Sequence, residues 1–197
     1  MSFKKNKYKV LKKVLDKNFS EFLFNYFINK RYLTYILLQH RYINPHEGMF
    51  GTFTDPQVPN TYSIYSDTVF ETLLQHLKPI MEIETGLSLK PIYSYNRVYM
   101  GGAELKKHTD REECEISASI TLKHFYNNKD YKWPLYMGDL PLVINEGDGV
   151  IYRGHAIEHW RPVFKQPKQC WHHQLFVHYV NLNGPFKNIE EELKFKG

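Results

Sequence analysis

Two histidines and one aspartate have the spacing of a metal site in this chain of 197 residues. His108 and Asp110 stand two positions apart, so a β-strand would point both side chains to the same side. His159 follows forty-nine residues after Asp110. Two histidines and one carboxylate bind one face of a ferrous ion and leave the opposite face open for a co-substrate and oxygen. The spacing therefore predicts an iron enzyme that activates oxygen.

Other interpretations of these residues remain open at this point. His155 lies four residues before His159 and competes with it for the place of the third ligand. A hydrolytic zinc site could use the same ligands, but it needs a general base beside the open position. Glu158 points to the other face of the strand from His159 and is poorly placed as that base. A jelly-roll module that binds a metal or an anion without turnover is a further alternative.

Two helical patterns precede the residues of the metal site. Apolar residues recur every three or four positions over 18–38, with an expected break at 30–31. Asp67 predicts the cap of a second helix, and Gly86 predicts its end. Pro79 predicts a kink inside that helix. Residues 41–65 are rich in turn-forming types and predict an ordered loop or a short hairpin.

Short strands follow Gly86. Strand patterns occupy 92–100, 115–122, 142–144, 150–152, 157–163 and 171–180. Strands without helices between them are typical of an antiparallel barrel or sandwich, and the jelly roll leaves a cavity between its two faces. The sequence therefore predicts an α+β protein in which the helices pack outside the larger sheet of a jelly-roll barrel.

Polar side chains share one face on three of these predicted strands. They are Ser117, Ser119 and Thr121; Tyr93, Tyr95, Arg97 and Tyr99; and Gln174 and His178. The second set would suit a pocket for an anion, and the third is expected to face the same cavity near the iron.

The charge pattern bears on partners and location. The net charge of +5 comes largely from six lysines in the first thirteen residues, which predict a frayed, solvated N-terminus. Nucleic acid is therefore not favoured as a partner, although it stays open. No apolar run approaches the ~20 residues needed to cross a bilayer. Only two cysteines are present, and no signal peptide is recognisable. We expect a soluble, cytoplasmic protein without a membrane partner.

Two stretches of the chain resemble a known enzyme family. The first runs over 93–119 and contains His108 and Asp110, and the second runs over 147–180 and contains Gly147-Asp148-Gly149 and His159-Trp160-Arg161-Pro162. Together they resemble the iron(II)- and 2-oxoglutarate-dependent dioxygenases, in the branch similar to the prolyl 4-hydroxylases. The resemblance covers about residues 60–184.

This resemblance implies a fold, a ligand set and a reaction. The fold would be the double-stranded β-helix, a jelly-roll or cupin-like barrel with N-terminal supporting helices. His108, Asp110 and His159 would bind Fe(II). With O2, the co-substrate 2-oxoglutarate would be converted to succinate and CO2, and ascorbate is a further expected cofactor. The chain would form one domain, with mostly helical support over 1–88, the catalytic core over 89–184 and a C-terminal tail over 185–197.

The residue that binds the far carboxylate of 2-oxoglutarate departs from the family pattern. The family places a lysine or arginine about ten residues past the distal histidine, where Lys168 is near the spacing but falls in a predicted turn. Arg161 shares a strand face with His159, ~6–7 Å further along. Its guanidinium also suits a carboxylate through two parallel hydrogen bonds. We favour Arg161, with Tyr99 donating a hydroxyl. The alternatives are Lys168, Arg153 and Arg97.

The substrate is the least determined part of the prediction. A peptide or protein side chain is favoured, with proline leading by resemblance only, while a free amino acid or a modified nucleobase stays open. Arg111 would contact the substrate or pair with a nearby acid. Loops over 41–65 and 124–140 would set specificity, because a fold does not determine its substrate. The sequence makes no prediction of oligomeric state.

Overall fold

The computed structural model describes residues 3–45, 48–59 and 61–189. Its helices are α1 (Phe3–Asn6), α2 (Lys17–Gln39) and α3 (Thr68–Thr85). Its strands are β1 (Tyr8–Leu11), β2 (Tyr62–Tyr65), β3 (Leu89–Met100), β4 (Leu105–His108), β5 (Ile116–Phe125), β6 (Leu135–Met137), β7 (Leu140–Leu142), β8 (Gly149–Tyr152), β9 (His159–Arg161) and β10 (Trp171–Asn181).

Two antiparallel sheets form the barrel. The larger sheet has the strand order β1-β8-β5-β10-β3-β2, and the smaller has the order β4-β9-β6-β7. All pairings among these described strands are antiparallel. Residues of both sheets line one cavity. This arrangement is a double-stranded β-helix, so the predicted α+β jelly-roll class is confirmed.

The helix α3 begins and ends where its caps were predicted. The Asp67 carboxylate accepts a hydrogen bond from the Val69 amide at the start of α3, and Gly86 ends this helix in the left-handed region at φ 68°. The expected break in α2 at 30–31 is wrong, since the helix continues to Gln39. Lysine and arginine are good helix formers, so their presence there does not interrupt the backbone.

The N-terminal part of the chain contributes strands as well as helices. β1 pairs with β8, with Tyr8 opposite Tyr152, so the expectation of a frayed N-terminus is wrong for these residues. β2 lies within the predicted loop over 41–65 and pairs with β3. The supporting segment 1–88 is therefore not only helical. The division of one domain at 88 and 184 stays a prediction, and residues 190–197 of the predicted tail lie outside the described residues.

The core lies between the helices and the outer face of the larger sheet. Leu23 and Phe27 of α2 and Leu74 of α3 pack with strand residues such as Ile120 and Leu175, and all five are buried. The opposite face of the same strands carries the polar residues predicted to face inward. The helices thus cover one side of the sheet and leave the other side to line the barrel interior. No helix in the described part of the chain is long and apolar enough to cross a membrane.

One histidine of β10 points into this apolar core. The His173 ring lies 4.1 Å from the Phe27 ring, between centroids, and also contacts Phe24 and Phe70. Neither ring nitrogen of His173 has a hydrogen-bond partner. Burial lowers the pKa of His173 to about 3. The folded protein therefore holds a neutral imidazole that makes no polar contact.

We expect His173→Leu to raise the free energy of unfolding by about 1–3 kcal/mol, because it removes two unsatisfied buried nitrogens. The pKa of this imidazole is about 3 when folded and near its ordinary 6.5 when unfolded. The unfolded state therefore binds the extra proton, and stability falls as the pH drops from about 6.5 towards 3. The variant lacks this imidazole, so its free energy of unfolding should lack this pH dependence, which amounts to at most about 1.4 kcal/mol per pH unit. Urea denaturation at several pH values measures both effects.

His76→Leu, at an exposed position of α3, is the matched control. Its effects on the free energy of unfolding at neutral pH and on the pH dependence of that energy should both be much smaller than those of His173→Leu. A His173→Leu protein less stable than the wild type would contradict this account of the core.

Candidate metal centre

The pairing of β4 with β9 brings the predicted metal ligands together. His108, the last residue of β4, stands opposite His159, the first residue of β9. Asp110 follows two residues after His108, and its amide donates to the Gly154 carbonyl at 3.0 Å. One donor atom from each of the three side chains lies within 4.8 Å of the others. His155 belongs to a short 3-10 helix before β9 and lies outside this group.

Both histidines are oriented by carbonyl oxygens of their own segments. His108 Nδ1 lies 2.8 Å from the Lys106 carbonyl oxygen, and His159 Nδ1 lies 3.1 Å from that of Ile157. A carbonyl can only accept, so both Nδ1 atoms carry a proton, and in a neutral imidazole the Nε2 atom then holds the lone pair that a metal takes. The Nε2 atoms lie 4.0 and 3.4 Å from Asp110 Oδ1. This donor set fits a divalent metal held by two imidazoles and one carboxylate.

The Asp110 carboxylate is held by a second layer of polar residues. Ser117 Oγ donates to Asp110 Oδ2 at 2.7 Å, and it also lies 2.9 Å from His178 Nδ1. Burial would raise the pKa of Asp110, but the neighbouring His159 and His178 rings and the hydrogen bond from Ser117 lower it well below its usual range. The carboxyl is therefore ionised at neutral pH, as a metal ligand must be.

Gly154 leaves the space that the carboxylate occupies. A Cβ atom at this position would lie 2.4 Å from Asp110 Oδ2, 2.5 Å from Ser117 Oγ and 2.7 Å from the Cys114 carbonyl oxygen. Two of these atoms belong to the site, so no alanine fits here without moving a ligand. Glycine at this position is therefore a requirement of the metal centre and not of the backbone conformation.

The ligands open onto a cavity of about 670 Å³. Tyr65, Tyr93, Tyr95 and Phe176 supply aromatic walls, and residues of segment 48–57 also line the cavity. Arg111 lies at the rim, with its guanidinium 5.0 Å from the centre of the Tyr93 ring. The cavity is large enough for a co-substrate and part of a second molecule.

Arg97 lines this cavity but already has an acidic partner. Its Nη2 donates to Asp55 Oδ2 at 2.6 Å and to Gln57 Oε1 at 2.8 Å. The Tyr95 hydroxyl also donates to Asp55 in a very short contact. The charges of Arg97 and Asp55 therefore balance each other, and the pair ties segment 48–57 to β3. This balance makes Arg97 a poor receptor for a further carboxylate.

Arg161 is a buried cation of a different kind. It is 1% exposed, and its guanidinium donates to the Trp133 carbonyl at 2.8 Å and to Gln174 Oε1 at 3.1 Å. Both acceptors are neutral, and within the described ranges no ion pair links Arg161 to a carboxylate. Burial lowers the pKa of Arg161 below its ordinary value. A buried positive charge without a counter-ion is costly, so this position favours an anionic ligand.

The other residues predicted for this role or for the substrate have different surroundings. Lys168 is exposed in the turn before β10, and the Arg153 guanidinium lies over the Phe3 ring, away from the cavity lining. Arg111 Nε lies 3.2 Å from Glu113 Oε1, which is the pairing that the sequence left open. Tyr99 is fully buried, and its hydroxyl accepts from Arg97 Nη1 at 3.4 Å.

The predicted polar faces do point inward, and they bring in residues that sequence reasoning missed. Gln174 donates to Ser119 and accepts from Thr121. His178 is within hydrogen-bond distance of Ser117, the residue that donates to the Asp110 carboxylate. His172 was missed, but it has the parity of Gln174 and His178 and could have been found, whereas Ser117 belongs to the polar face that the sequence predicted. Asp55 carried no such signal, because it lies in a segment without periodicity.

We expect Asp110→Ala to weaken Fe(II) binding by more than about 100-fold, because loss of a supporting contact alone already costs about 10–100-fold at such sites. His159→Ala should have a comparable effect. Anaerobic calorimetric titration with Fe(II) measures both. His155→Ala is the matched control and should bind normally, since its side chain lies outside the group of donor atoms. Loss of binding in His155→Ala with retention in His159→Ala would reverse the assignment.

Comparison with known proteins adds fold-level evidence. No protein-family model matches the sequence, and no curated protein is significantly similar to it. Solved structures do match. The viral collagen prolyl hydroxylase of Paramecium Bursaria Chlorella virus-1, in complex with 2-oxoglutarate, superimposes with a TM-score of 0.62 at 10% identity, over 89% of this chain and 96% of that one.

Two further solved structures match over most of this chain. EctD from S. alaskensis with bound Fe gives a TM-score of 0.62 at 14% identity, over 92% of this chain and 75% of that one. The non-haem α-ketoglutarate-dependent carbocyclase SnoK from nogalamycin biosynthesis gives 0.63 at 11% identity, over 99% and 91%. At these identities the likeness concerns the fold. The chain therefore has the double-stranded β-helix fold of the non-haem iron, 2-oxoglutarate-dependent oxygenases, with a His-Asp-His group at its centre.

Proposed function

We propose that this protein is an Fe(II)- and 2-oxoglutarate-dependent dioxygenase that hydroxylates a substrate side chain. One observation carries the proposal: β9 holds a metal-ligand histidine and, two residues further, a buried arginine without an acidic partner among the described residues. A strand places these two side chains on the same face, ~6–7 Å apart along the strand. That is the reach of a five-carbon diacid whose 2-oxo end lies at the metal and whose far carboxylate lies at Arg161.

Each group of the barrel interior has a role in this proposal. His108, Asp110 and His159 would hold Fe(II), and Ser117 and His178 keep the carboxylate in place. Arg161 would bind the far carboxylate of 2-oxoglutarate. When bound, the metal would supply O2 activation, coupled to decarboxylation of 2-oxoglutarate to succinate and CO2. Ascorbate as a reductant is expected by resemblance only.

Apolar side chains keep water away from this part of the interior. Tyr99, Leu105, Trp133 and Phe164 are each no more than 3% exposed and pack as one cluster. Leu105 stands opposite Arg161 in the β4–β9 pair, so the cluster borders the proposed carboxylate position. The Tyr99 hydroxyl is the predicted second donor to 2-oxoglutarate. Low polarity around Arg161 would strengthen its attraction to a bound carboxylate.

The proposed substrate is a peptide or protein side chain, with proline as the leading candidate. Its support is the resemblance in the metal-ligand segments and the likeness to a collagen prolyl hydroxylase. The aromatic walls suit an apolar ring: Tyr65 and Tyr93 stack with centroids 4.5 Å apart beside Arg111. A small-molecule substrate stays open, since SnoK has the same fold. We also propose a cytoplasmic location, which the two free, buried cysteines support.

The first test is an anaerobic titration of the metal-free protein with Fe(II) and 2-oxoglutarate. Chelation of iron by a 2-oxo acid in such a site should give a visible charge-transfer band, and admitting oxygen should bleach it with formation of succinate. A folded protein that binds Fe(II) but shows neither the band nor succinate would refute the proposal. Zinc binding without oxygen consumption would instead favour a binding module or a hydrolytic site.

We expect Arg161→Gln to raise the Kd for 2-oxoglutarate by about 100-fold, because two charge-assisted hydrogen bonds to the carboxylate are lost. Fe(II) affinity should stay within about twofold of the wild type, since Arg161 is not a metal ligand. The charge-transfer titration measures the first value, and calorimetry measures the second. Arg153→Gln removes the same charge from a guanidinium that lies over the Phe3 ring, and it is the matched control. Weaker binding in Arg97→Gln but not in Arg161→Gln would move the carboxylate site to Arg97.

A further inference from the structure

Gln174 holds the guanidinium of Arg161 from within the barrel. Gln174 Oε1 accepts from Arg161 Nη2 at 3.1 Å, and the Trp133 carbonyl accepts from Nη1 at 2.8 Å. Both side chains, Gln174 and Arg161, are buried. Because an arginine can only donate, the amide oxygen and not the amide nitrogen must face it. The orientation of the Gln174 amide is therefore determined by its neighbour.

Gln174 Oε1 accepts hydrogen bonds from two further donors. His172 Nε2 lies 2.8 Å from Gln174 Oε1, and Thr121 Oγ1 lies 3.2 Å from it. Since the oxygen only accepts, His172 carries its proton on Nε2 and accepts the Tyr126 hydroxyl at Nδ1, 2.7 Å away. At the other end of the amide, Gln174 Nε2 donates to Ser119 Oγ at 2.8 Å.

These surroundings would suit a glutamate at least as well as a glutamine. A carboxylate of the same shape would accept from Arg161, His172 and Thr121, and the Ser119 hydroxyl could rotate to donate to its second oxygen. Hydrogen bonds to a carboxylate are stronger than those to an amide. A glutamate side chain would also cancel the charge of Arg161. The chain carries a neutral acceptor at this position, so the positive charge stays uncompensated.

We propose that Gln174 is a positioning and specificity-determining residue: it orients Arg161 without neutralising it, and so keeps the guanidinium charge for the far carboxylate of a 2-oxo diacid. The inference rests on the proposed function and extends it. Selectivity for a 2-oxo diacid over a 2-oxo monoacid then depends on an uncharged side chain at position 174.

The test is Gln174→Glu in the Fe(II)-loaded protein under anaerobic conditions. The ligands are 2-oxoglutarate and 2-oxopentanoate, which has the same carbon chain without the far carboxylate. The variant should bind 2-oxoglutarate on the order of tenfold or more weakly, because the introduced carboxylate already satisfies the guanidinium. Its affinity for 2-oxopentanoate should change by less than about twofold, so the ratio of the two affinities should fall. The denaturation midpoint of the ligand-free variant should rise, since a buried cation gains a partner.

Gln169→Glu is the matched control, because it adds the same charge at an exposed position in the turn before β10. It should shift neither the affinity ratio nor the midpoint. A purely structural role for Gln174 would lower stability and weaken both ligands equally, which would overturn the inference. Wild-type selectivity in Gln174→Glu would also overturn it while leaving the proposed function intact. Absence of 2-oxoglutarate binding in the wild type would refute the proposed function itself.

Discussion

The antiparallel pairing of β4 with β9 is the constraint on which the site depends. It places His108 opposite His159, and the same ladder places Leu105 opposite Arg161. Directly opposed residues in such a pair lie about 4.5–5.5 Å apart, which is close enough for two imidazoles to share one ion. A shift of one residue would turn His159 and Arg161 to the other face together. The register of the short strand β9 therefore determines both the metal position and the distance from it to the buried cation.

The charges inside the barrel form two unbalanced groups and one balanced pair. Asp110 is an ionised carboxylate beside two imidazoles, and Arg161 is a cation beside neutral acceptors. Arg97 and Asp55 compensate each other in the same interior. A divalent cation and a dianion bound side by side would complement the first two groups. The balanced pair, Arg97 and Asp55, instead joins segment 48–57 to the sheet beside the cavity.

Much of this fold is local in origin and could be predicted. The caps at Asp67 and Gly86, the alternation of Ser117 to Thr121 and the spacing of His108 and Asp110 act over a few residues, and the structure contains each of them. The strands β1 and β2 were not predicted, because they depend on tertiary contacts. Each has only four residues, and its partner strand lies far along the chain. Likewise, Asp55 meets Arg97 only because segment 48–57 folds across the cavity, and no periodic pattern marks that path. The choice between His155 and His159 follows from where β9 begins, and boundaries of short strands are set by their pairing partners.

The pairing of Tyr8 with Tyr152 has a consequence for how the chain reaches its fold. β1 is synthesised before its only partner strand among the described residues, β8, which follows it by more than one hundred residues. Closing a loop of that length is entropically costly and slow. Until β8 appears, the edge formed by residues 8–11 exposes unpaired backbone groups, which are prone to join other chains. The lysines around this segment lower that tendency, because charged side chains repel a second copy of the same edge.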